Sequence, residues 1–187
     1  APVIFEVEQS DEDLAFLAAH DSDPFNRWEA GQRLALARLL ALTDAAEAGR
    51  PLVLDEVYVA TVRATLLDES LSPAFRDLSL TLPAEGFIAE QRTLVDPGAI
   101  RSAREFVRSE LGRRLGSELH AAYANHRTPG PYSPEPAQTG RRALRNGALA
   151  LLVAAGSEQA IELARVQFDT ADNLTDRLAA LSALVNS

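Results

Sequence analysis

The sequence predicts an all-α protein, an irregular superhelical α-solenoid of stacked antiparallel helices preceded by a short N-terminal strand or extended arm. Three observations carry this reading. Apolar residues recur at three- and four-residue steps along most of the chain. Capping residues open one segment after another, twice as Asp-Pro. Successive helix pairs, each roughly 20 to 40 residues and joined by short turns, fit a solenoid better than a compact bundle, although no strict repeat accompanies them.

Ala1 to Gln9, APVIFEVEQ, is rich in β-branched and aromatic residues and then alternates Phe5 and Val7 with Glu6 and Glu8, as a half-buried strand does. A lone strand leaves its backbone unpaired, so it is expected to pair with a part outside this sequence or to lie as an arm over the helices. Ser10 caps a short helix, Asp11 to Ala19, whose acidic first turn suits the helix dipole. Asp23-Pro24 opens a helix expected to reach about Ala48, and Gly49-Arg50-Pro51 stops it. Its segment Leu34 to Leu42 is apolar nearly all round, which predicts neighbours on several sides. Asp55 to Glu69, Ser72 to Leu82 and Ala84 to Thr93 are the next helices. Asp96-Pro97 starts what reads as the longest one, to about Asn125, with Ile100, Ala103, Val107, Leu111, Leu115, Leu119 and Ala122 on one stripe. Gly112 and Gly116 within it predict close approach of a neighbouring helix. Arg127 to Pro136 holds four prolines and a glycine and reads as a loop that turns the chain. Arg141 to Val185 then gives three amphipathic helices, broken at Gly156-Ser157 and at Asp172-Asn173.

The 187 residues carry 18 basic and 27 acidic side chains, a net charge of −9, which argues against nucleic acid and anionic membrane as main partners. Cysteine is absent, so disulfides, thiolate nucleophiles and cysteine metal sites are excluded, in keeping with a reducing, cytoplasmic setting. The chain has no methionine, starts at Ala1 and stops within a helical pattern; the expectation is a piece of a longer protein.

Reactive constellations do not emerge. His20, His120 and His126 are not in H-E-x-x-H spacing, so neither catalytic residues nor metal ligands are assigned. Trp28 reads as an aromatic anchor between helix layers. Arg141, Arg142 and Arg145 sit in the early turns expected for their helix, where positive charge opposes the dipole. A solvated face is the ordinary explanation; acidic partners or a cavity wall that meets carboxylates is the functional one. Asn173 with Asp176 reads as a helix-capping pair rather than a glycosylation site.

Four blocks carry a resemblance: Phe25-Asn26-Arg27-Trp28-Glu29-Ala30-Gly31-Gln32, Leu66-Leu67-Asp68-Glu69, Arg142-Ala143-Leu144-Arg145-Asn146, and Gln167 through Asp176, QFDTADNLTD. In order and spacing they resemble the C-terminal part of the bacterial aminopeptidase N family, gluzincin zinc peptidases. The resemblance implies a helical C-terminal domain, residues 10–187, that closes over a catalytic domain and helps enclose a substrate chamber. Residues 1–9 then correspond to the last strand of a preceding β-sandwich. Zinc and every catalytic residue of such an enzyme would belong to other parts of the polypeptide, so this stretch is expected to hold no cofactor. Its partners would be the catalytic and β-sandwich domains and, in the whole enzyme, a peptide substrate. Arg141, Arg142 and Arg145 are the candidate chamber-lining residues. The competing reading is a free-standing helical-repeat scaffold that binds a protein partner along its surface.

Overall fold

A computed structural model describes residues 9–186, and there the chain is helical. The expected strand lies, except for Gln9, outside the described residues. Ten helices follow in order: α1 (Asp11–His20), α2 (Pro24–Glu47), α3 (Glu56–Leu67), α4 (Pro73–Leu80), α5 (Glu85–Glu90), α6 (Pro97–Arg114), α7 (Gly116–Asn125), α8 (Pro136–Ala154), α9 (Glu158–Thr170) and α10 (Leu174–Val185).

The starts are set by side-chain caps that satisfy the unpaired amides of a first turn. Ser10 and Asp13 form a reciprocal box, with the Asp13 amide donating to Ser10 Oγ at 3.1 Å and the Ser10 amide to Asp13 Oδ2 at 3.2 Å. Asp23 accepts from Phe25 and Asn26, and Asp96 accepts from Gly98 and Ala99, each with proline at the first helical position. Asn173 Oδ1 accepts from the Asp176 amide at 2.9 Å.

Helices stack on their neighbours along the chain. α1 packs on α2 and α3, α2 on α6, and α8 runs through the second half against α4, α6, α7, α9 and α10. Leu34, Leu39, Leu111, Leu115, Leu119, Leu144 and Leu149 are wholly buried in one continuous core. The nearly all-apolar stretch of α2 finds neighbours on several sides, as its composition requires.

Three expectations are corrected. The helix expected from Pro97 to Asn125 is bent at Leu115 (φ −114°, ψ 19°), so α2, with 24 residues, is the longest. Leu115 still donates to the Leu111 carbonyl and accepts from the Leu119 amide, both at 2.9 Å; the bend falls just before Gly116, a usual place for a kink. Only Gly112 serves a close crossing. A Cβ there would stand 2.1 Å from the Leu151 carbonyl oxygen of α8, whereas one at Gly116 would meet nothing within 4 Å. Finally, α5 ends at Glu90 rather than Thr93, and α8 begins at Pro136, so the proline-rich loop is shorter and Arg141 lies beyond the first turn of its helix. The dipole penalty expected for Arg141, Arg142 and Arg145 is therefore slight.

Candidate functional site

The loop 127–135 and the three arginines after it form the most elaborate polar region of the second half. The Arg141 guanidinium donates to the carbonyls of Asn125 (2.7 Å) and Arg127 (3.1 Å), covering the exposed acceptors at the end of α7. Arg142 is almost fully buried; it donates to the Ser133 carbonyl at 2.5 Å and its guanidinium carbon sits 4.6 Å from the Tyr132 ring centroid. These two side chains hold the loop against α8. Arg145 faces the other way, into a cleft of about 470 Å³ between α7, the loop and α9, with Tyr123, Arg127, Gln167 and Asp176 among its walls. Its Nη2 donates to the Tyr123 hydroxyl at 2.9 Å, and its guanidinium carbon lies 4.5 Å from that ring centroid.

Behind the cleft lies a buried polar cluster. Asp176, 4% exposed, accepts from Asn146 Nδ2 at 2.8 Å and from Asn173 Nδ2 at 3.0 Å, and its Oδ2 is 3.9 Å from Arg145 Nη1. Gln167 donates through Nε2 to Asn146 Oδ1 (2.8 Å) and to the Asp176 carbonyl (3.0 Å). Such a network fixes α8, α9 and α10 in one register, since each group left without its partner would be costly in a low-dielectric interior. Most of its donors and acceptors are tied to one another, while Gln167 Oε1 and Arg145 Nε, both buried, have no hydrogen-bond partner. From the sequence Asp176 reads only as a capping residue, and Asn146 and Gln167 carry no assigned role. A signal was present: Gln167 continues the Ala160, Ala164 stripe of α9, where a polar residue on a buried face needs a partner.

The three histidines are dispersed. His20 ends α1 against Phe16, with ring centroids 4.8 Å apart, His120 is half-buried on α7, and His126 is the C-cap of α7. Among the described residues, no group of three or more His, Cys, Asp or Glu side chains is placed to hold a metal ion. No described helix is long and apolar enough to cross a membrane. Trp28 is half-buried at the α1–α2 corner, its ring centroid 5.9 Å from that of Phe25.

Helices stacked layer on layer around a continuous core, joined at one end by a buried polar cluster, define a helical-repeat domain. The chain belongs to the family described as a domain of unknown function (DUF3458_C) with ARM repeats, which matches residues 11–187. Aminopeptidase N of Escherichia coli (strain K12) is 40% identical over 187 residues, covering 99% of this chain and 21% of that protein. Aminopeptidase N of Caulobacter vibrioides is 37% identical over the same length and coverage. Among solved structures, aminopeptidase A of Legionella pneumophila in complex with aspartic acid aligns with a TM-score of 0.80 at 25% identity, over 99% of this chain and 22% of that one. The chain thus spans about a fifth of the length of the relatives it matches.

Proposed function

We propose that this chain is the accessory helical domain of a longer zinc-dependent aminopeptidase, packed on the catalytic and β-sandwich domains of the same polypeptide and helping to enclose the chamber in which peptides lose their N-terminal residue. The observation that carries the reading is 40% identity to Escherichia coli aminopeptidase N along 99% of the chain, joined to a relative length of about one fifth. The described residues do not fit a zinc site, so in this reading the metal and the reacting groups belong to the remainder of the polypeptide. This domain would contribute a wall. Arg145 stands at the cleft and would present a fixed donor to carboxylates of substrate or of a neighbouring domain, while Arg141 and Arg142 would act behind it by fixing the loop. The enzyme would work in the cytoplasm, a setting compatible with a sequence free of cysteine.

The test is to express the complete reading frame that contains this sequence and, separately, residues 1–187, and to assay both for release of alanine from a chromogenic alanine amide. The long protein is expected to cleave it and to contain stoichiometric zinc, the 187-residue chain to do neither. A reading frame confined to this stretch, in a protein that binds a partner and cleaves nothing, would replace the proposal with the scaffold reading.

A further inference from the structure

His126 closes α7 and opens the loop 127–135, and its ring is held at both nitrogens. Arg76 Nη2 of α4 stands 2.8 Å from His126 Nε2. A guanidinium has only donors, so Nε2 accepts and carries no proton. The ring proton is therefore on Nδ1, which donates to the Ala122 carbonyl at 2.8 Å. The two contacts agree on one neutral tautomer. Arg76 is nearly fully buried, its Nε is without a hydrogen-bond partner, and no ion pair joins it to a carboxylate among the described residues. A histidine nitrogen is thus the acceptor on which a buried cation relies.

We propose that the Arg76–His126 pair is a pH-sensitive latch, which ties α4 to the end of α7 and roots the loop that walls the Arg145 cleft while His126 is neutral, and opens when Nε2 takes up a proton. A proton added from solvent at Nε2 turns the acceptor into a donor facing a donor and sets two cations at hydrogen-bond distance. Other charged groups surround the ring. Arg141, from α8, adds a second positive charge; Glu69, after α3, is an exposed carboxylate pulling the other way; and Glu118 of α7, which lines a second cleft together with Arg76 and His126, is already paired with Arg63 of α3 at 3.0 Å. Burial first, then Arg76 and Arg141, hold His126 below the ordinary histidine range, against the Ala122 hydrogen bond and Glu69. The loop next to the latch is the part that yields. The Asn125 and Arg127 carbonyls beside His126 are those that Arg141 grips, and residues 127–130 line the Arg145 cleft.

The direction of the pH effect follows. The folded chain binds the proton less readily than the unfolded one, so the contribution of the latch is complete above the ordinary histidine value of about 6.5 and is lost as the pH falls through the lower folded value.

The experiment uses the 187-residue chain, with imidazole nitrogen NMR across the titration and hydrogen exchange at about pH 7.5 and about pH 5.5, on either side of the ordinary histidine value. Nδ1 protonation at the higher pH, a His126 midpoint below about 6.5, and exchange of the His126, Arg127, Thr128 and Gly130 amides rising about tenfold at the lower pH beyond the intrinsic rate change are expected. His126→Gln, whose amide accepts from Arg76 and donates to Ala122 but gains no proton, should abolish that rise. In Arg76→Met, which removes the opposing cation, the His126 midpoint should climb toward its ordinary value; this second variant decides the matter if His126→Gln does not fold. A midpoint at or above about 6.5 in the parent, an equal rise in His126→Gln, or an unmoved midpoint in Arg76→Met would each overturn the latch.

Discussion

The middle of the molecule and its α9–α10 end are held together in different ways. Around α2, α6 and α8, the largest fully buried side chains are leucine on leucine; the polar exceptions are Thr43, whose hydroxyl donates to the Leu39 carbonyl, and Arg142 near the start of α8. At the α9–α10 end the buried residues are small or polar: Ala160, Ala164 and Gln167 on α9, and Asp176, Ala180 and Ala183 on α10. Large residues there face outward, with Leu174, Leu178, Leu181 and Val185 all exposed. The middle is therefore stabilised chiefly by apolar area, with one close crossing at Gly112, whereas the end depends on alanine-close helix contact and on a few hydrogen bonds of defined geometry.

The difference can be broken from either side. The largest effect is expected in the middle, at Gly112→Ala. The added carbon would stand 2.1 Å from the Leu151 carbonyl oxygen and 2.9 Å from the Ala155 Cβ, so backbone rather than a flexible side chain has to move. A loss of about 3 kcal/mol or more in urea unfolding is expected, at the upper end of what overpacking costs. Gly116→Ala, in open space four residues past the crossing, should instead be neutral or stabilising by up to about 1 kcal/mol. Equal effects at the two glycines would show that the α6–α8 crossing is not the tight point.

Next comes the end, at Asp176→Ala. The substitution leaves Asn146 Nδ2 without its acceptor, removes one of the two acceptors of Asn173 Nδ2 and takes from Arg145 its nearest carboxylate, for a loss of about 2 kcal/mol. Its signature is local: amides of α10 should lose protection well before those of α6. Uniform loss across both helices would mean that the end is not a separately opening unit.

The two regions were also unequally legible in the sequence. Helix starts with a side-chain cap were readable because a cap is a local event, and Ser10, Asp23, Asp55, Ser72, Asp96, Ser157 and Asn173 each accept from the first turn of the helix they open, whereas the uncapped starts of α7 and α8 were missed or misplaced. The apolar stripe from Ile100 to Ala122 was likewise read correctly and is buried, yet the bend inside it was not, because Leu115 keeps the periodicity on both sides of the break. Gly112 and Gly116 look alike in sequence; only the position of α8 separates them. The polar cluster behind the cleft joins positions 21 to 30 residues apart on three helices, which periodicity within one helix does not reveal. The roles of Arg141 and Arg142 stayed hidden for a simpler reason: their partners are backbone carbonyls of the loop, and every residue has one of those.

The smallest effect on stability belongs to the outer face of the end. Leu178 is 53% exposed and Leu181 41%, so replacing both with glutamine removes little buried area and should change the unfolding free energy by no more than about 0.5 kcal/mol each. Association should respond far more. Leu174, Leu178, Leu181 and Val185 lie along one face of α10, and a contiguous apolar strip on a monomer tends to find a partner. Burying one such leucine fully is worth about 1.5 to 3 kcal/mol, so losing two from a self-contact would weaken it by at least tenfold. Light scattering over a concentration series is expected to show the 187-residue chain associating and the double variant remaining monomeric at the same concentrations. Hydrogen exchange supplies the control: in the dilute monomer α10 should be the least protected helix of the second half, because its inner face contributes alanines, the partly buried Leu184 and one polar cluster. A parent chain that stays monomeric throughout, with α10 as well protected as α8, would mean that the alanine contacts and the Asp176 network suffice by themselves, and the contrast between middle and end would fail at its weaker side.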